Sequence, residues 1–187
     1  MQVEATKKLF TVHEYYKMAD AGILGEDDRV ELIDGEIVQM SPIGDRHLGC
    51  VNGATDLFTA AFRGRAVVSV QNPLRLGDYT EPQPDIVLLK PRLDAYRGKH
   101  PEAGDALLVV EVADTTLAYD RDVKLPRYAA AGVPEVWIES LGADQLLVHR
   151  DPAGDSYKTC RTLTRGDSAS IGAFPDVIFE VGELLGE

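Results

Sequence analysis

The run ALLVVEVA, residues 106–113, constrains this chain more than any other segment. It is apolar throughout except for Glu111, and it is strand-sized rather than helix-sized. A continuous apolar run of this length is expected of a central strand covered on both faces. Side chains alternate along a strand, so Glu111 shares a face with Val109 and Ala113, while Val110 and Val112 point the other way. A carboxylate in that setting needs a partner, because an unpaired charge is costly to bury. The partner is either a basic side chain or a bound cation.

Two further residues join Glu111. Asp85, in QPDIVLL, heads a second apolar run that reads as a strand, and Lys124, in YDRDVKLPRYAAAGVPEVW, follows on a predicted helix. If the two strands are neighbours, the carboxylates can converge near one end. At about 4 Å they would repel by roughly 4 kcal/mol at an effective dielectric near 20, a penalty that a divalent cation removes. Oxygen donors of this kind suit Mg²⁺ or Mn²⁺ better than zinc. A cation beside a lysine suits phosphodiester hydrolysis: the ion acidifies water, and the lysine orients it or stabilises developing charge.

The rest of the chain reads as alternating helices and strands. Thr11 and Glu14 form a capping-box pattern before Val12, Tyr15, Tyr16, Met18, Ala19 and Ile23 at helical spacing. Asp34-Gly35, between two short runs in RVELIDGEIVQMS, marks a tight hairpin. A second helix is predicted over 45–62, with Leu48, Val51, Leu57, Phe58, Ala61 and Phe62 on its apolar face. AVVSV and LRL (74–76) read as strands, and residues 90–104 as a polar loop. Asp114, Thr115 or Thr116 is placed to cap a helix from about Leu117 to Ala131. EVWIES, QLLVHR, SYKTCRTL and DVIFEV follow as short strands. The whole, 1–187, is expected to be a single α/β domain with a mixed central sheet flanked by helices.

Composition narrows the function. No apolar stretch approaches the ~20 residues of a membrane span, and MQVEATKKLF lacks the apolar core of a signal peptide, so a cytoplasmic protein without membrane association is expected. Cys50 and Cys160 belong to no C-x-x-C pair, and His13, His47, His100 and His149 show no zinc-ligand spacing. Both thiols are expected to be small buried residues. The net charge of −12 weighs against a binder of long duplex, whose affinity comes from Lys and Arg neutralising phosphates.

The order PD…EV…D…K…Y…GV-E-W, preceded by DDRVELIDGEIVQMSP and RH, resembles the Uma-type family of restriction-endonuclease-like proteins, in the PD-(D/E)XK nuclease superfamily. The resemblance runs from the TVHEYY helix to the terminal DVIFEVGELL. It implies a restriction-endonuclease-like fold and a Mg²⁺- or Mn²⁺-dependent endonuclease acting on DNA, with a homodimer expected. It makes Asp85 and Glu111 the metal-binding acids, the Val112 peptide carbonyl a further ligand, and Glu31 an N-terminal acid completing the site. The usual lysine two residues after the second acid is replaced here by Ala113, and Lys124 stands in from the following helix. Where family members often carry Ser, this chain has Asp114.

Plainer readings stand beside these. Asp85 can simply begin a strand after Pro84. Glu111 and Lys124 can form a buried ion pair without metal. Lys124 can pair with Asp120 at i,i+4 on the surface. His47, beside Arg46, reads as a helix-surface residue ahead of a phosphate contact, Trp137 and Tyr128 read as core, and Lys90, Arg92, Arg97 and Lys99 read as a solvated loop ahead of a nucleic-acid contact. The alternative function is a catalytically silent nuclease-fold domain used for binding or assembly, and a weaker one is hydrolysis of a smaller phosphate-containing substrate.

Overall fold

The computed structural model describes residues 6–25 and 27–186; the first five residues of the N-terminal stretch read above lie outside it. Ten strands are described, and six of them form one mixed sheet ordered β3-β4-β5-β6-β7-β8. These are β3 (Val67–Val70), β4 (Ile86–Leu89), β5 (Ala106–Ala113), β6 (Glu135–Ser140), β7 (Gln145–Ala153) and β8 (Ser156–Thr164). Only β5 and β6 run parallel, which is why a helical crossover must join them. ALLVVEVA is therefore central, antiparallel to β4 on one side and parallel to β6 on the other.

Two apolar layers cover the sheet. On one face pack α2 (Asp45–Phe62), the C-terminal hairpin of β9 (Ser168–Ile171) and β10 (Phe174–Glu180), and α5 (Val181–Leu184). Phe58, Phe62 and Phe179 meet Trp137 there with ring centroids 5.2–6.4 Å apart. The other face carries Val109, Ala113, Val136 and Ile138 under Tyr128 and Ala129 of the crossover. Glu111 belongs to this second face, as alternation requires. Glu139 does not; burial pushes its carboxyl up to about 8, and it accepts from Cys50 Sγ at 2.9 Å.

The crossover is not one α-helix. It runs as α3 (Leu117–Tyr119), a π turn (Asp120–Lys124) and α4 (Leu125–Ala130), with the Leu125 N–H bonded to the Asp120 carbonyl five residues back. Pro126 gives the reason: it has no N–H for the Asp122 carbonyl and its ring crowds that turn. Thr116 occupies the N-cap position without capping; its hydroxyl donates to Asp120 Oδ2 at 2.6 Å instead.

Local signals elsewhere hold well. Thr11 caps α1 (Val12–Asp20) in a complete capping box. Asp34 and Gly35 both take positive φ, 51° and 78°, in the two-residue turn joining β1 (Val30–Ile33) to β2 (Glu36–Gln39). All of β1 is buried rather than alternating, because its other edge meets residue 81: Leu32 and Glu81 exchange main-chain bonds of 3.4 and 2.7 Å. Some expectations fail. LRL is no strand, since only Arg75 makes an isolated bridge, to Glu102. Ile23 and Leu48 are 69 % and 49 % exposed, so neither joins an apolar face. Cys160 lies at the surface, while Cys50 is buried, and both are free. Strand β9 carried no clear sequence signal. Among the described residues no helix is long and apolar enough to cross a membrane.

The Asp34-Gly35 turn holds Glu31 in place, so its backbone demands are testable. A Cβ on Gly35 would lie 2.7 Å from Leu9 Cβ, whereas one on Gly154, also at positive φ, meets nothing within 4 Å. Left-handed backbone alone costs a non-glycine residue about 1–2 kcal/mol. Gly35→Ala is expected to lower urea-measured stability by clearly more than Gly154→Ala, which carries only that backbone cost.

Candidate active site

Asp85 stands one residue before β4, one step beyond the Ile86↔Val110 pair and therefore level with Glu111 on the neighbouring strand. Its carboxylate is clamped from three directions. The Val112 N–H donates to Oδ2 at 2.8 Å, His47 Nε2 lies 2.9 Å from Oδ1, and Gln71 Nε2 donates to Oδ1 at 3.3 Å. Burial pushes the Asp85 carboxyl up, but His47, the Val112 N–H and Lys124 outweigh it and hold the group below its ordinary value. Gln71 reaches Asp85 from left-handed backbone, φ 50°, and its own N–H bonds the Asp85 carbonyl at 2.9 Å.

Glu111 and Glu31 share Lys124. Its Nζ is 3.2 Å from Glu111 Oε1 and 3.3 Å from Glu31 Oε2, and all three side chains are at most 5 % exposed. The surface pairing of Lys124 with Asp120 is thus overturned, since both are buried. Each glutamate also takes a tyrosine hydroxyl. Tyr128 OH donates to Glu111 Oε1 at 2.5 Å and Tyr119 OH to Glu31 Oε1 at 2.9 Å. The Gln83 N–H donates to Glu31 Oε2 at 3.0 Å. Tyr128 is core, as its context suggested, but its hydroxyl is spent on the site.

Asp85, Glu111, Glu31 and Lys124 line one cavity of about 510 Å³, together with His47, Asp114, Asp120 and Tyr119. Burial first, and neighbouring carboxylates after it, bias two of these acids toward the protonated form. Burial pushes Asp120 up to about 6 and Glu111 well above the usual carboxylate range, with Lys124 opposing in both cases. Burial alone would lower the Lys124 ammonium, yet Glu111, Glu31 and Asp120 raise it, so it stays charged. The hydrogen bond to Asp85 raises His47, against burial.

All-oxygen donors and surplus negative charge match what a hard divalent cation requires. The side chains are not gathered into a ready ligand set: among the described residues no three His, Cys, Asp or Glu side chains are placed to hold an ion. Glu111 instead spends its oxygens on Lys124 and Tyr128, which is the metal-free ion pair among the sequence readings. The donor chemistry fits; the ligand geometry is closed around Lys124.

The trio and Glu31 are therefore brought together. Asp114 lies on the cavity wall, 3.8 Å from Arg46. The loop cations Arg92 and Lys99 bond their own acids, Asp94 and Glu102, and Lys90 bonds the Gly104 carbonyl, all away from the cavity. Sequence reading missed His47, Gln71, Asp120 and Tyr119. His47 is half-buried against Asp85 and not a plain surface residue. Asp120 carried a signal, since it sits four residues before Lys124, and Pro126 warned that the turn between them is irregular.

Two outcomes follow from the electrostatics. Lys124→Met leaves Glu31 and Glu111 buried without a cation and is expected to cost about 3–5 kcal/mol near neutral pH, read by chemical denaturation. Asp120 has a folded value raised above its unfolded value of about 4, so its stability contribution is full at low pH and lost as pH rises to about 6. Asp120→Asn should therefore match wild type in acid and gain relative stability across that window, by about 3 kcal/mol at pH 8. Urea midpoints measured against pH check the sign.

The comparisons with known proteins agree with this arrangement of strands. No curated protein matches the chain. Among solved structures, a crystal structure from Anabaena variabilis ATCC 29413, described as a "putative nuclease belonging to DUF820", is similar with a TM-score of 0.71 and 15 % identity. The match covers 94 % of this chain and 97 % of that one, and at such identity it speaks for the fold, a restriction-endonuclease-like one. A family model described as "Uma2: Putative restriction endonuclease" matches residues 12–182, and the chain belongs to that Uma2 family.

Proposed function

We propose that this protein is a Mg²⁺- or Mn²⁺-dependent endonuclease that hydrolyses DNA phosphodiester bonds. The observation that carries the reading is the meeting of Asp85, Glu111 and Lys124, from three separate elements, on one cavity. Asp85 and Glu111, with Glu31 and the Val112 carbonyl, would hold the cation. Such an ion supplies Lewis acidity toward phosphate oxygen and lowers the pKa of a coordinated water.

The chain's own groups do the rest. The Val112 N–H and His47 aim Asp85. Tyr119 fixes Glu31 Oε1 and leaves Oε2 toward Lys124, while Tyr128 and Lys124 both meet Glu111 Oε1. Lys124, kept cationic, is placed to orient an attacking water or to offset charge growing on the phosphoryl oxygens, as preorganised cations do. The low exposure of the site strengthens each of these interactions. Family membership supports DNA as substrate. A homodimer would bring two such sites to two strands. The family and structural matches, each spanning most of the chain, support reading 1–187 as one domain.

A second reading, a catalytically silent domain, is favoured by one observation: Glu111 already has partners in Lys124 and Tyr128. Plasmid nicking with Mg²⁺ or Mn²⁺ tests the first reading. Wild type is expected to nick, with Asp85→Ala and Lys124→Ala each lowering the rate by about 100-fold or more, the size of a lost electrostatic group. Mn²⁺ titration by calorimetry separates the two: binding that disappears in Asp85→Ala belongs to the nuclease, and absence of binding in wild type to the silent domain.

A further inference from the structure

The reacting groups lie deep. Glu31 and Glu111 are 2 % exposed, Asp120 is 4 %, Lys124 5 % and Asp85 9 %. A phosphodiester must approach such groups to about 3 Å. In a duplex the phosphates ride on a stiff rod with a persistence length of about 150 base pairs, so one phosphate cannot descend while its neighbours stay at the surface without deforming the helix. A single strand bends at every nucleotide.

The rest of the cavity has a use for a base. Val38, Met40, Pro42, Ile43 and the ring of Tyr119 line it beside the acids. Its volume of about 510 Å³ is in the range that encloses small organic ligands. A phosphate alone gains nothing from such a wall, whereas a base laid on apolar and aromatic side chains gains about 1–3 kcal/mol.

Charge points the same way. The chain carries −12, and Arg65, Arg75, Arg92, Arg121, Arg127 and Arg165 are each paired with a carboxylate. That takes six arginines out of the free positive charge on which affinity for a run of duplex phosphates depends. Arg29 is different: it lines the cavity, and its guanidinium bonds the Ser41 carbonyl at 3.4 Å. An arginine there, apart from the buried Lys124, suits one flanking phosphate.

We infer that the cavity takes single-stranded or locally unpaired nucleic acid, one nucleotide entering with its base along the Val38–Ile43 wall and Arg29 on a neighbouring phosphate. The inference rests on the nuclease reading for the chemistry but not for the binding. It is tested by fluorescence anisotropy at one salt concentration, without metal and with Mn²⁺. The probes are an oligonucleotide, its perfect duplex, and the same duplex with a central unpaired bubble. The single strand and the bubble are expected to bind about tenfold or more tighter than the duplex, a difference near 1.4 kcal/mol. Ile43→Glu and Arg29→Ala, whose melting temperatures should stay at the wild-type value, are each expected to weaken single-strand binding severalfold. Duplex binding as tight as single-strand binding, no single-strand binding, or an unaffected Ile43→Glu variant overturns the inference. Cleavage of the same probes with Mn²⁺ is scored separately. If the strand preference holds but nothing is cut, the nuclease reading fails and the binding inference stands. If only the duplex is cut, the inference fails and the nuclease reading stands.

Discussion

The buried ammonium of Lys124 between Glu31 and Glu111 is the interaction on which this site depends. It ties three elements together: the first hairpin, the central strand and the π turn of the crossover. Removing two glutamates and a lysine from water is expensive, and their mutual attraction offsets that only if every remaining lone pair is used. Tyr128, Tyr119 and the Gln83 N–H supply those bonds. The cluster is consequently rigid, and it leaves the acids oriented toward one cavity.

Asp85 is held on a different principle. Its neighbours are hydrogen-bond donors from β5, α2 and the turn after β3, and they keep it ionised despite burial. Glu111 and Asp120, with fewer donors and more acidic neighbours, are pushed the other way. One cavity thus holds one carboxylate biased toward the anion and two biased toward the acid. A set of buried acids in surplus over cations works against folding, and proteins tolerate such a surplus at sites of function.

Legibility differed by the range of the physics involved. Glu111 was readable because a charge inside ALLVVEVA has few structural excuses, and Asp34-Gly35 because its turn geometry is local. Asp85 and Lys124 needed the family resemblance, since PD after a turn and a lysine on a helix are each ordinary. His47 was not readable: its meaning comes from Asp85, 38 positions away. Tyr119 likewise acts through Glu31, 88 positions away. The uninterrupted helix read over 117–131 failed because apolar periodicity outweighed Pro126, although the proline was in view.

The sequence by itself determined the central strand, the tight hairpin, the capped first helix and the need of Glu111 for a partner. Those follow from alternation, dihedral preference and the cost of burying charge, all of which act within a few residues. Tertiary structure alone decided that the partner is Lys124 shared with Glu31, that Asp85 is clamped by His47 and Gln71, and that the acids lie at depth beside an apolar wall. Such matters depend on which strands become neighbours and which helix crosses them, and side chains far apart in the chain acquire their electrostatic surroundings only once that packing is complete.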